Sequence, residues 1–323
     1  MTVVVEHASD QDFARLADPY RRELYAHCYR MLGSVHDAED LVQETYLRAW
    51  KGFDRFEGRS SLRTWLHRIA TTACLTALDR RRRRPLPTGL GGPSAPDGEL
   101  AERPEVPWLE PVPDALVGAD DPGAVVAARE SVRLALVAAL QYLPAKQRAV
   151  LILRDVLRFS AVEVADILDT SVPAVNSLLQ RARAHLAREA PTEEGVSTPP
   201  PDQRETLARY VQAFESYDIS AITELFTADA VFEMPPFTTW VRGAEDIGRL
   251  ISVQCPARGP GDMVLVTTRA NGRPAFGLYM RGDDGVHRAF GLQVLETVPG
   301  GVSHAVMFFD TTLFHRFGLA PHL

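Results

Sequence analysis

The sequence predicts a multi-domain chain: two all-α modules, the second a helix-turn-helix, followed by a separate α+β domain. Three observations carry this. Residues 10–84 and 126–190 keep helical apolar spacing, with capping residues where the pattern breaks. Residues 85–125 and 191–201 lose that periodicity and are rich in Pro, with Gly clustered in the first. After residue 202, helical spacing gives way to strand-like runs, most of them separated by turn signals.

In the first module Ser34 is placed to cap a helix, with Asp37 three residues on. Ala38, Leu41, Val42, Thr45, Ala49 and Trp50 then recur at helical spacing. "FEGRSS" interrupts the pattern, and Ser60 or Ser61 caps the next helix. Its stripe is Leu62, Trp65, Leu66, Ile69, Ala70, Ala73 and Ala77, and Pro85 and Pro87 end it after the five arginines 80–84. In the second module Leu134, Val137, Ala138 and Leu140 lead to a helix opened by Pro144. Ser160 and Glu163 form a capping box, "LDTS" turns the chain, and Ser171 caps a helix with Pro173 in its first turn. That is helix-turn-helix spacing over 160–186. Asp202 and Glu205 open the last domain on a helix bearing Leu207, Tyr210, Val211 and Phe214, and a short helix over 221–226 follows. The strand-like runs are "ADAVFEM", "MVLVTTRA", "AFGLYMR", "HRAFGLQVLETV" and "VSHAVMFFD", with turns at Asn271–Gly272, 282–285 and 299–301.

The net charge of −7 conceals an alternation: +3 over residues 1–84, −7 over 85–130, +3 over 131–190 and −6 over 191–323. Two basic modules separated by an acidic connector fit a protein that touches a polyanion at two places. Cys28, Cys74 and Cys255 are far apart and lie in apolar patterns, so they read as reduced core residues with no metal spacing. The N-terminus lacks a basic leader segment and no apolar run approaches a membrane span, so the expectation is a cytoplasmic protein without membrane contact or cofactor.

In the candidate recognition helix Val172, Val175, Leu179, Ala182 and Leu186 share one face. The other face carries Asn176, Ser177, Gln180, Arg181 and Arg183, whose amides, hydroxyl and guanidiniums suit base edges and phosphates. The helix at 36–51 turns Asp37, Asp40, Gln43, Glu44 and Leu47 outward, a surface for a basic partner protein or simply a solvated face. Around "RFEGRSSLRTW", Phe56, Arg59, Ser60, Ser61 and Arg63 suit single-stranded nucleic acid, while Trp65 reads as core. Five consecutive arginines add sequence-independent affinity for DNA. In the last domain Asp229, Tyr279, His304 and Asp310 are polar candidates for a pocket that Met234 and Trp240 could line, but spacing assembles no base and oxyanion donor. Trp108 and Leu109 stand out as apolar anchors in the acidic connector.

"DAEDLVQETYLRAWKGFDRFEGRSSLRTWLHRIATTACLTALDRRRRR" resembles region 2 of the extracytoplasmic-function (ECF) sigma factors of bacterial RNA polymerase, and "LPAKQRAVLILRDVLRFSAVEVADILDTSVPAVNSLLQRARAHL" resembles their region 4. Residues 202–323 are similar to a SnoaL-like domain of the nuclear-transport-factor-2-like fold, a cone-shaped α+β domain. The resemblance implies that Asp37, Asp40, Leu41, Gln43, Glu44 and Leu47 bind the core polymerase through the clamp helices of its largest subunit. It implies that Phe56, Arg59, Ser60, Ser61, Arg63, Arg68, Thr72 and Arg80, Arg81, Arg82 and Arg83 meet the −10 promoter element, with a base flipped into the loop 57–61. Asn176, Ser177, Gln180, Arg181 and Arg183 would read the −35 element, and the connector would thread the polymerase cleft. Thr72 stands where many relatives carry Asn, and Asn176 and Leu178 where Lys and Arg are common, which moves the −35 contact toward Gln180, Arg181 and Arg183.

The organisation that follows is region 2 over 10–84, an acidic Pro-rich linker over 85–128, region 4 over 129–190, a short linker over 191–201 and the SnoaL-like domain over 202–323. The expected function is promoter-specific initiation of transcription, regulated by the last domain. The alternatives are a ligand-responsive helix-turn-helix repressor, which leaves the 36–51 helix unexplained, and a small-molecule enzyme in the last domain.

Overall fold

The structure is a computed structural model and describes residues 10–79, 83–117, 131–189 and 202–323. Its two compact units are not consecutive in sequence: one joins residues 1–84 to 114–192, the other joins 85–113 to 193–323.

The first unit is all helical. Asp10–Ala17, Arg21–Leu32, Val35–Gly52 and Leu62–Leu78 form its N-terminal module. Every residue from Leu24 to Leu32 is buried, including the polar His27 and Arg30, so Arg21–Leu32 is the central helix. Gly33 ends it in the left-handed conformation (φ 69°), which spares the Cβ penalty of any other residue. Ser34 then caps Val35–Gly52 by accepting from the Asp37 N–H. Of the two serines offered as the next cap, Ser61 takes the role, accepting from the Thr64 N–H. The second module holds Leu134–Leu140, Ala145–Leu151, a π-helical turn over Ile152–Val156, Ala161–Ile167 and Val172–Glu189. Both halves of the Ser160–Glu163 capping box are formed. Asp169 (φ 49°) makes the tight turn between the last two helices.

The second unit is a six-stranded sheet with helices packed on one face. β1 is Phe226–Glu233, β2 Trp240–Arg242, β3 Met263–Ala270, β4 Arg273–Arg281, β5 His287–Val298 and β6 Gly301–Phe308. The order is β2-β1-β6-β5-β4-β3, parallel only between β1 and β6. The helices Gln203–Glu215, Ile219–Leu225 and Ala244–Gln254 bury Tyr210, Phe214, Ile222 and Leu250 against Phe232, Phe276, Leu278, Ala305 and Met307. By strand alternation the neighbours Glu233, Tyr279 and His304 point to the opposite face. Asn271 and Gly272 both take positive φ (55° and 75°), the conformation that an Asn-Gly hairpin between β3 and β4 requires.

The connector is ordered where the sequence showed no periodicity. Over Pro85–Pro113 it has almost no regular structure, so its backbone groups pair with the sheet domain instead. Ser94 N donates to Trp240 O (2.7 Å), and Trp240 Nε1 donates to Gly91 O (3.0 Å). Arg103 N donates to Pro236 O, Thr238 N to Ala101 O, and Val112 N to Asn271 Oδ1 (2.9 Å), while Asn271 N donates back to Val112 O. Leu86, Leu109 and Val112 are buried. Sequence reasoning also missed β2, the helix after it and the closing turn Leu313–Arg316.

Among the described residues no helix is long and apolar enough to cross a membrane, and no group of His, Cys, Asp and Glu is placed to hold a metal ion.

Candidate nucleic-acid and polymerase interfaces

On Val172–Glu189, Val175, Leu179 and Ala182 are buried, while Asn176, Ser177, Gln180, Arg181 and Arg183 are exposed. Asn176, Leu179, Gln180 and Arg183 border an open groove with Arg154 from the π-helical turn. Arg183 is not free to swing: its Nε and Nη2 bond Asp155 Oδ2 and Oδ1 at 2.9 and 2.6 Å. This carboxylate holds the guanidinium charged and oriented at the groove edge. A polar, cation-edged groove on a capped second helix has the shape and donors that a major groove accepts.

Val35–Gly52 buries Val35, Ala38, Val42, Thr45 and Ala49. Asp40 and Gln43 are exposed on its other side, and Leu41 and Glu44 are half-buried. Leu47 is 58% exposed and Trp50 46%. Two large apolar side chains held in water beside carboxylates make an adhesive strip for a protein with basic and apolar groups. Asp37 sits apart from that strip, ion-paired with Arg84 (2.6 Å).

The loop after this helix is built on an aromatic stack. Phe13 meets Phe53, and Phe56 lies 4.9 Å from Trp65. Trp65 is half-buried in that stack, and Phe56 shares it rather than standing free. Arg59 is exposed and pairs with the exposed Glu57. Ser60 is half-buried and Ser61 serves as the cap. Arg68 and Thr72 line the exposed side of Leu62–Leu78, with Thr72 Oγ1 donating to Arg68 O. Arg63 is occupied: Glu23 takes it bidentately (2.7 and 3.0 Å), and its guanidinium lies 4.1 Å from the Phe159 ring. Arg80, Arg81 and Arg82 lie outside the described residues, and Arg83 stacks on Tyr142 at 4.1 Å.

With these surfaces in place, comparison with known proteins decides the family. Residues 16–84 match the model for Sigma-70 region 2, residues 133–186 that for Sigma-70 region 4, and residues 207–309 that for a SnoaL-like domain. The chain is 60% identical over 315 residues to the ECF RNA polymerase sigma factor SigG of Mycobacterium tuberculosis, covering 97% of this chain and 85% of that protein. The chain belongs to the ECF sigma factors. It is also similar to SigJ of the same organism, at 31% identity over 249 residues covering 75% of this chain and 72% of SigJ. The crystal structure of SigJ aligns over 97% of this sigma factor and 100% of that chain, with a TM-score of 0.60 and 25% identity. The two helical modules are therefore regions 2 and 4, and the sheet unit carries the SnoaL-like domain. As a sigma factor the protein binds core RNA polymerase and promoter DNA to initiate transcription.

One expectation of the sequence fails in the SnoaL-like domain. Met234, Trp240, Tyr279, His304 and Asp310 do not line a common pocket. Met234 lies in the core beneath the helices, whereas Tyr279 faces the other side of the sheet, its hydroxyl on Ala320 O (2.8 Å) and its ring against Phe314. Asp310 is exposed and caps the Thr312 turn, and Asp229, also exposed, accepts from Thr227 Oγ1. Trp240 is buried at the sheet edge, bonded to the connector. The alternation of strand side chains places neighbours in sequence on opposite faces, which spacing between strands cannot reveal. His304 has instead a partner that sequence reasoning missed: its Nε2 lies 2.8 Å from Oε1 of the fully buried Glu233, whose Oε2 accepts from Thr88 N (2.8 Å).

Proposed function

We propose that this sigma factor engages polymerase through Asp40, Gln43 and Leu47 of the Val35–Gly52 helix, docked on the clamp helices of the largest subunit, with Leu41 and Glu44 at the margin. The loop around Arg59, with Ser60, Arg68 and Thr72, receives the −10 element, and Arg80 to Arg83 anchor the DNA beside it by counterion release. The −35 duplex is read by Asn176, Ser177, Gln180 and Arg181, with Arg183 held at the groove edge. The protein works where polymerase works, in the cytoplasm.

The reading rests on one pairing: a capped helix-turn-helix with an exposed polar face, and an acidic helix that keeps Leu47 and Trp50 in water. A repressor needs only the first. The test is run-off transcription on genomic fragments with purified core polymerase. A specific set of transcripts that requires this protein is expected, and its absence on every fragment overturns the reading.

The SnoaL-like domain acts as a regulatory scaffold. Tyr210, Phe214, Phe276 and Leu278 pack together in its core, and its acid–base pair, Glu233 with His304, has both carboxylate oxygens taken, which favours a scaffold over an enzyme. It holds Pro85–Pro113, the segment that would thread the polymerase cleft, so engagement requires this segment to be released.

A further inference from the structure

We propose that Asp155 is a positioning residue for promoter recognition: by holding Arg183 in one orientation and balancing its charge, it makes that arginine discriminate the −35 element from other DNA. The inference rests on the promoter reading above and adds to it a residue that touches no DNA itself.

Asp155 lies on the π-helical turn Ile152–Val156, which Leu157 N closes by donating to Ile152 O (2.9 Å). On the same turn Arg154 bends its Nη1 back onto Phe159 O. Asp155 instead reaches the recognition helix, 28 residues on, and accepts from both Nε and Nη2 of Arg183 (2.9 and 2.6 Å). Arg154 and Arg183 border the open groove with Asn176, Leu179 and Gln180, whereas Asp155 does not. A carboxylate set back from the groove acts through the guanidinium it holds.

A guanidinium carries five N–H donors in a planar fork. Asp155 takes the edge formed by Nε and Nη2, so the donors left over point away from the carboxylate. The side chain is ordered before DNA arrives, and that order need not be imposed on binding. The carboxylate also offsets the guanidinium's charge, which weakens the pull on any phosphate within reach. Contact with DNA is then favourable only where an acceptor stands in line with the remaining donors, which happens when the helix is seated in register in the major groove. Discrimination comes as much from what the pair withholds from other DNA as from what it offers the right site. Arg154 shows the contrast: its partner is a neutral carbonyl, which leaves its charge unbalanced.

The pair is a poor fastener. The Arg183 side chain is 61% exposed and that of Asp155 30%, and ion pairs so open to water add little to stability. Val175, Leu179 and Ala182, buried on the same helix, hold it to the module.

The test uses the full chain with core polymerase and a promoter recovered by run-off transcription, beside the same fragment with its −35 element scrambled. Asp155→Asn keeps the shape but removes the charge and leaves one accepting oxygen. It is expected to leave the thermal midpoint nearly unchanged and to lower the ratio of transcript from intact to scrambled fragment by about threefold to tenfold. Asp155→Glu, which retains the carboxylate, should keep most of that ratio. In an Arg183→Ala background, Asp155→Asn should change the ratio by less than about twofold, since the arginine it acts through is gone. An undiminished ratio in Asp155→Asn, or an equal loss with and without Arg183, overturns the role. If the unaltered chain yields no specific transcript, the promoter reading fails instead, and binding of the free chain to arbitrary duplex at low salt decides. Asp155→Asn should tighten that binding about threefold more with Arg183 present than in the Arg183→Ala background. Equal tightening in the two, or none, overturns the restraint as well.

Discussion

His27 and His67 face each other inside the first unit, ring centroids 5.5 Å apart. His27 Nε2 is 3.0 Å from Thr71 Oγ1, and His67 Nδ1 is 2.9 Å from Arg63 O. Burial is the main force on both and disfavours the imidazolium. It holds His27 well below its ordinary 6.5, with the His67 and Arg30 charges adding to the effect. His67 is brought down to about 4 even though Glu23, at 3.4 Å, pulls the other way. The folded state therefore binds fewer protons than the unfolded chain between these values. Stability is complete above pH 6.5 and is lost as pH falls toward 4, by about 3 kcal/mol at most for His67. Urea midpoints should hold steady from pH 8 to 7 and decline below 6.5, and a His67→Gln variant should decline less steeply. Parallel curves for the two proteins between pH 6.5 and 4.5 would remove His67 as the cause.

At the scale of elements, Val35–Gly52 divides its labour by side. Ala38, Val42, Thr45 and Ala49 hold it to the module, and the Ser34 cap fixes its start. The exposed strip makes no such contribution, so changes there cost within roughly 0.5 kcal/mol of stability. Asp40→Arg or Leu47→Arg should accordingly leave the thermal midpoint nearly unchanged and weaken core binding by about tenfold or more, since charge reversal meets a basic partner and the arginine replaces an apolar anchor. Affinity for core polymerase measured by fluorescence anisotropy, together with melting by circular dichroism, checks both halves. Core affinity equal to that of the unaltered protein removes this helix from the interface. The recognition helix shows the same economy: its polar face was visible in the sequence, but the restraint of Arg183 by Asp155 was not, because that partner sits 28 residues away on a π-helical turn.

For the whole molecule, the decisive feature is that the chain crosses between units three times. Pro85–Pro113 leaves the first unit, lies on the SnoaL-like domain, and the chain then returns to build region 4. Leu86, Leu109 and Val112 are buried along this path, each worth about 1.5–3 kcal/mol of burial. Asn271→Gly keeps the positive φ of the turn but removes the acceptor for Val112 N, and Trp240→Phe removes the donor to Gly91 O. The double variant should make the connector more sensitive to protease and raise run-off transcript severalfold at limiting protein. Unchanged transcript with a demonstrably loosened connector would show that docking of this segment does not gate initiation.

The sequence by itself determined the local elements and the family. Caps at Ser34 and Ser160, a cap at Ser60 or Ser61, the Asn271–Gly272 hairpin and the apolar stripes depend on neighbours within a few residues, and such information is written along the chain. It also determined the exposed chemistry of Asp40, Leu47, Gln180 and Arg181, because amphipathic helices announce their outer face. Only the tertiary structure decided the partners of residues far apart: Arg30 with Ser131, Arg148 with Met31, Arg63 with Leu157, Glu233 with His304 and Thr88. Those contacts close loops of 71 to 145 residues, and no periodicity reports them. The same limit separates Met234 from Tyr279. Which face of a sheet a strand residue takes is set by register with its neighbours, and register is a property of the assembled sheet, not of any one strand.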